Sequence, residues 1–196
     1  MNGNLETLQD PCFSIVGSRK SHSFAIHQSY HLGKTLARKG FCIVSGGAFG
    51  CDISAHQGTL ATDLNPSPII VVHAGGLDQL YPKGNKTIFD KIKDKNGLFL
   101  TERLWQSAIK PYDFPVRNRI ISGLSKVTLV MDASLKSGAI NTAYTALDQG
   151  REVWTLKPPT GTQNSKGIER LIEDGALSFN NAEELLLNHD LEHFFS

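Results

Sequence analysis

The chain has 196 residues, of which 40% are hydrophobic and 20% charged, a balance that suits a globular α/β-sized core rather than a disordered or fibrous chain. Its 20 basic and 19 acidic residues leave a formal net charge of +1, so a general cationic coat is excluded and any nucleic-acid contact must come from a local patch. No apolar run is long enough to span a bilayer, and the polar, acidic residues 1–10 lack the basic and apolar regions of a signal peptide, so a cytoplasmic protein without membrane contact is expected.

Short apolar runs alternate with longer amphipathic stretches. Residues 12–16 read as a strand running into Gly17-Ser18-Arg19, and 23–38 as a helix with Ala25, Ile26, Leu32, Leu36 and Ala37 near helical spacing, closed by Gly40. A second strand is expected at 41–45, ending in Gly46-Gly47, then a helix at 52–61. The β-branched run at 69–73 is a third strand, ending near Gly75-Gly76, and 98–101 a fourth. A short helix is expected at 116–124, a strand at 127–131, and a helix at 139–149 after the loop Lys136-Ser137-Gly138. A sixth strand covers 152–156 and stops at Pro158-Pro159. A helix at 167–174, a last strand at 176–179 and a helix at 182–188 capped by Asn181 complete the chain.

Strands that are apolar throughout are buried on both faces. That is the mark of a doubly wound, Rossmann-like α/β fold with a mostly parallel sheet and helices on each side. No linker or repeat divides the chain, so residues 1–196 are expected to form one domain. Cys12, Cys42 and Cys51 are odd in number and form no CxxC pair, so they fit neither a disulfide framework nor a zinc site; Cys12 and Cys42 read as small core residues.

In such a sheet ligands lie beyond the carboxyl ends of the strands. Glycines gather there: Gly17, the loop Gly46-Gly47-Ala48-Phe49-Gly50, Gly75-Gly76, and Gly138 after Ser137. Glycine lets backbone approach an anion closely, and a following helix offers free N–H groups and a positive end. Ser18 and Arg19 add a hydroxyl and a planar fork that matches phosphate. Lys83 and Lys86 form a second basic set. Arg117-Asn118-Arg119 forms a third, whose two arginines cannot share a helical face, so one can reach a ligand while the other braces the structure. The sequence has neither a G-x-G-x-x-G fingerprint after the first strand nor a P-loop, so no nucleotide cofactor is expected. Asp52 and His56 share a helical face; two ligands are too few for a metal site, and the reading is that Asp52 braces the helix start while His56 hydrogen-bonds locally. Glu102 is the isolated carboxylate best placed for acid–base work, or else it neutralises a nearby arginine. No catalytic constellation stands out.

Taken in order, these segments resemble one family. Ile15-Val16-Gly17-Ser18-Arg19, then Val44-Ser45-Gly46-Gly47-Ala48-Phe49-Gly50-Cys51-Asp52, then Gly76-Leu77-Asp78 with Tyr81-Pro82 are similar to motifs of the DNA-processing protein A (DprA/Smf) family. Phe114-Pro115-Val116-Arg117-Asn118-Arg119-Ile120-Ile121-Ser122-Gly123-Leu124-Ser125 is the most specific stretch, and Lys136-Ser137-Gly138-Ala139 follows in place. The match covers roughly residues 11–179, the Rossmann-like core alone, with no room for the helical and winged-helix domains that many relatives add. The resemblance implies a homodimeric, non-enzymatic protein that binds single-stranded DNA and helps to load the RecA recombinase during natural transformation. It also implies phosphate contacts from Arg19 and from Lys83 or Lys86. Phe49, Tyr81 and Phe114 are the candidates for base stacking. Phe49 stands where the family usually carries a basic residue.

Two other readings stand beside this one. The chain can be a nucleotide-binding sensor or nucleotide-cleaving enzyme of the wider superfamily that includes the phosphoribohydrolases, although their Pro-Gly-Gly-x-Gly-Thr string is absent. It can also be a protein scaffold, because the amphipathic segment 183–195, ending in Phe194-Phe195, can pack on a second copy or cover its own core.

Overall fold

Alternation along the strands sets the architecture. In β1 (Cys12–Gly17), Phe13 and Ile15 join an apolar cluster on one side of the sheet, while Cys12 and Val16 join a second cluster on the other. The same division runs through β2 (Cys42–Ser45), where Ile43 faces the first cluster and Cys42 and Val44 the second. Both faces are therefore dry, as the continuous apolar runs require. The computed structural model describes residues 1–159, 162, 165–188, 191 and 194.

The described residues form a seven-stranded, all-parallel sheet in the order β4-β3-β2-β1-β5-β6-β7. The remaining strands are β3 (Ile69–Val72), β4 (Leu98–Leu100), β5 (Val127–Asp132), β6 (Glu152–Leu156) and β7 (Leu177–Phe179). Helices α1 (Ser23–Arg38), α2 (Cys51–Leu60) and α7 (Ala182–Asn188) cover one face, and α4 (Asp113–Gly123), α5 (Gly138–Asp148) and α6 (Lys166–Glu173) the other. The doubly wound architecture expected from the sequence is present.

Two elements depart from the expectation. Residues 86–94, to which the sequence reading gives no element, form α3 (Lys86–Asp94), which buries Phe89 and Ile92 against Ile69, Val71 and Phe99. Ile88, Phe89 and Ile92 carry the helical spacing that marks it. Helix α4 begins three residues earlier than expected, at Asp113. Pro115 lies in its first turn, where a missing N–H costs nothing because that group has no partner inside the helix.

The described residues of the C-terminal segment pack on the core. Asn181 caps α7 by accepting from the Glu184 amide at 2.8 Å, and the amide of Ala182 donates to Gln28 at 2.7 Å. Phe194 is buried edge-on against Phe13, with ring centroids 5.4 Å apart. Phe195, the other half of that expectation, lies outside the described residues. All three cysteines are buried and free. Among the described residues no helix is long and apolar enough to cross a membrane.

Candidate nucleic-acid interface

Strand order runs outward from β1 in one direction and from β5 in the other, so these neighbours flank the point where the winding reverses. A cleft of about 320 Å³ opens at this edge, beside the carboxyl end of β1. Gly17, Ser18 and Arg19, Arg117 and Asn118, and Ser137 and Gly138 all line it. Seven residues singled out from three distant stretches of sequence thus share one cavity.

The stretch Gly17-Ser18-Arg19 is fixed by its own backbone. The Ser18 amide donates to the Asp132 carbonyl at 2.9 Å, and the Ser21 hydroxyl donates to the Ser18 carbonyl at 2.7 Å. Gly50 enters α2 at φ +82°, and a Cβ there would run into the Ser18 carbonyl. Only glycine allows α2 to start this close to the Arg19 loop. Arg19 itself is exposed, and it makes no ion pair among the described residues. Its guanidinium lies over the Phe114 ring, 4.9 Å from the centroid.

Arg117 differs in every respect. It is 8% exposed and is held by the carbonyls of Gly46, at 3.1 Å, and Val72, while its Nε donates to Asn118 at 3.1 Å. Burial pulls its pKa down to about 10, against which the nearby Asp52 carboxylate raises it. Asn118 passes the contact on by donating to the Gly138 carbonyl at 3.3 Å. Ser137 caps α5 by accepting from the Ile140 amide at 3.3 Å.

The glycine loop after β2 is not an open anion cradle. Asp52 reaches back and accepts from the amides of Gly46, at 3.2 Å, and Ala48, at 3.4 Å, so a carboxylate already occupies the place a phosphate would take. Burial raises the Asp52 pKa, while Arg117 and these amides lower it. Gly47, at φ +65°, packs against Phe89 and its carbonyl accepts from Asn85 at 2.9 Å. Gly47 and Gly50 shape the cleft without lining it.

Beside the cleft is a narrow slot of about 20 Å³ between Phe49, Tyr81 and Phe114, with Arg19 and Arg117 along it. It has room for no more than a water, but Phe49 and Tyr81 are 45% and 43% exposed and offer ring surface outside it. His73, which sequence reading passed over as a strand end, holds this wall. Its Nε2 accepts from the Tyr81 amide at 2.8 Å, and its Nδ1 donates to the Gly75 carbonyl at 3.1 Å, so the ring is neutral. Burial keeps its pKa below the ordinary histidine value.

Other candidates fall elsewhere. Arg119, expected to serve the ligand or brace the core, is half exposed and pairs with Glu102 away from the cleft, because it sits on the opposite side of α4 from Arg117. Glu102 therefore neutralises an arginine. Lys83 and Lys86 border separate depressions, and Lys86 is paired with Asp90 at 2.6 Å. His56 corrects another expectation: it is fully buried, and neither ring nitrogen has a hydrogen-bond partner.

Residues 1–190 match the family described as DNA recombination-mediator protein A. The chain is 36% identical over 188 residues to protein Smf of Escherichia coli, an alignment covering 96% of this chain and 50% of that protein. Among solved structures it is similar to DNA processing protein A from Streptococcus pneumoniae, with a TM-score of 0.85 and 31% identity over 97% of this chain and 65% of the other. It is equally similar in fold, TM-score 0.85, to DNA processing protein A from Helicobacter pylori, at 29% identity over 96% of this chain and 86% of the other. The Helicobacter structure is described as showing a unique single-stranded DNA binding mode. The chain spans about half the length of the curated relatives it matches.

Proposed function

The chain belongs to the DNA recombination-mediator protein A family, and from that premise we propose that it binds single-stranded DNA in a DNA-processing role during recombination. The observation that carries the reading is Arg19: an exposed guanidinium without a carboxylate partner among the described residues, at the mouth of a cleft where the sheet reverses its winding. A phosphate there meets Arg19, the Ser18 hydroxyl and the positive start of α5, with Arg117 also lining the cleft. Bases then stack on Phe114, Tyr81 and Phe49.

Binding without catalysis fits this geometry best. Glu102, the carboxylate that a nucleotide-cleaving reading requires, is paired with Arg119 outside the cleft. The proposal extends, through the family, to homodimerisation and to handing the bound strand to RecA; light scattering and a pull-down with purified RecA test each. The central test is a titration of labelled oligo-dT at two salt concentrations. Binding that weakens steeply with salt and is lost in Arg19→Ala supports the reading. No binding at low salt overturns it.

A further inference from the structure

Further depressions follow from the slot beside Arg19 through shared wall residues. Tyr81 forms a wall both of the slot beside Arg19 and Phe114 and of a groove of about 260 Å³ whose far side is the stretch 106–109. Lys83 is shared in turn with a trough of about 460 Å³ edged by Lys86 and Lys93. The far side of the groove is tied down by backbone: the Gly76 amide donates to the Ser107 carbonyl at 2.8 Å, and the Asp78 amide to the Trp105 carbonyl at 3.2 Å. The groove wall is thus held in place by backbone.

Charge along it is uneven. Lys86 is spent on Asp90. Lys83 and Lys93 are exposed and form no ion pair among the described residues; Lys93 lies over the Phe99 ring, 5.7 Å from its centroid, a contact that leaves its charge open to an anion in the trough. Asp78 is the remaining carboxylate on its edge, so the local balance is mildly positive.

We propose that a single strand seated at Arg19 continues over Tyr81, through the groove beside 106–109, and ends against Lys93 on α3. The inference rests on the reading that Arg19 seats DNA. It follows from two features together: a series of depressions that share wall residues from Tyr81 to Lys83, and, beside the last of them, exposed lysines that form no ion pair among the described residues. A strand long enough to make the journey gains a phosphate contact that a short one cannot reach.

Anisotropy titrations of oligo-dT of about 4 and about 16 nucleotides separate the two claims. For Lys93→Ala, the short oligonucleotide binds as to the unsubstituted protein, while the long one binds severalfold more weakly with a salt slope lower by about one unit. Lys93→Glu deepens the loss, and Ala108→Glu, an exposed substitution in the groove wall, produces the same length-dependent loss without touching a lysine. Lys126→Glu, at the amino end of β5 on the opposite edge of the sheet, serves as the charge control. If Lys93→Glu leaves long-strand binding intact, or if Lys126→Glu weakens it as much, the path is wrong while Arg19 still seats the strand. If Arg19→Ala also changes nothing at either length, the parent reading has failed.

Discussion

Arg19 and Phe114 meet face to face at the mouth of the cleft, the guanidinium carbon 4.9 Å from the ring centroid, and the buried Arg117 approaches the same ring at 6.0 Å. One aromatic side chain is thus approached both by a cation open to solvent and by a cation locked into backbone. The two arginines divide the work that the sequence motif presents as a single basic cluster: one is available to a ligand, and the other is a structural pin.

Arg19→Ala is expected to weaken single-stranded DNA binding for all base compositions alike and to lower the salt slope by about one unit. Arg19→Lys keeps the slope and loses part of the affinity, because a point charge cannot make the two parallel hydrogen bonds of a guanidinium. Phe114→Ala, with its stacking surface gone, costs about 1–3 kcal/mol of binding. Titrations with oligo-dT and oligo-dA check all three.

Arg117→Met is expected to act on folding. It leaves the buried carbonyls of Gly46 and Val72 without their donor and removes the cation near Asp52, a loss of about 1–3 kcal/mol for each buried acceptor left unsatisfied. Urea unfolding measures it. Arg117→Lys restores little, since one ammonium cannot span Gly46, Val72 and Asn118 together.

Gly50→Ala and Gly150→Ala form an instructive pair. Both glycines have positive φ, +82° and +70°. Gly150 has open space where a Cβ would go, so only the backbone penalty of about 1–2 kcal/mol applies. Gly50 faces the Ser18 carbonyl, so the substitution also pushes the Arg19 loop out of place. Thermal unfolding should show the larger loss at Gly50, and only Gly50→Ala should reduce DNA binding.

His56 gives the fold a pH dependence. Burial lowers its pKa from 6.5 to about 3, so the native state holds it neutral. Below about pH 6.5 the unfolded chain takes up a proton that the folded chain refuses. Stability is therefore complete above that pH and falls as pH drops toward 3, by up to about 1.4 kcal/mol per pH unit from this group. His73, also lowered, adds to the fall with the same sign. In His56→Met the slope of stability between pH 6 and pH 4 should shrink, read from denaturation midpoints across that range. An unchanged slope would place the proton elsewhere.

The order of strands and helices was legible because burial on both faces writes itself as continuous apolar runs, and β1, β2, β3 and β5 contain such runs. The meeting of Gly17, Arg19 and Gly138 was legible for a related reason: in a doubly wound sheet, loops at the carboxyl ends share one edge whatever their separation in sequence. Helix α3 was missed, though Ile88, Phe89 and Ile92 signalled it, because it is short and its apolar positions are few among charged ones. What each polar group does at the edge was not legible at all. Arg117 and Arg119 are two residues apart, and a helix turns them to opposite sides, but only the packing of α4 on the sheet decides which one is buried. The glycine loop after β2 carries the composition of a phosphate cradle, and only its return path reveals that Asp52 takes the amides first. Sequence determined the edge on which the chemistry gathers, since periodicity is a local property of the chain. Tertiary structure alone assigned the charges to their partners, because those partners lie on other elements and the energy of a charge is set by what surrounds it.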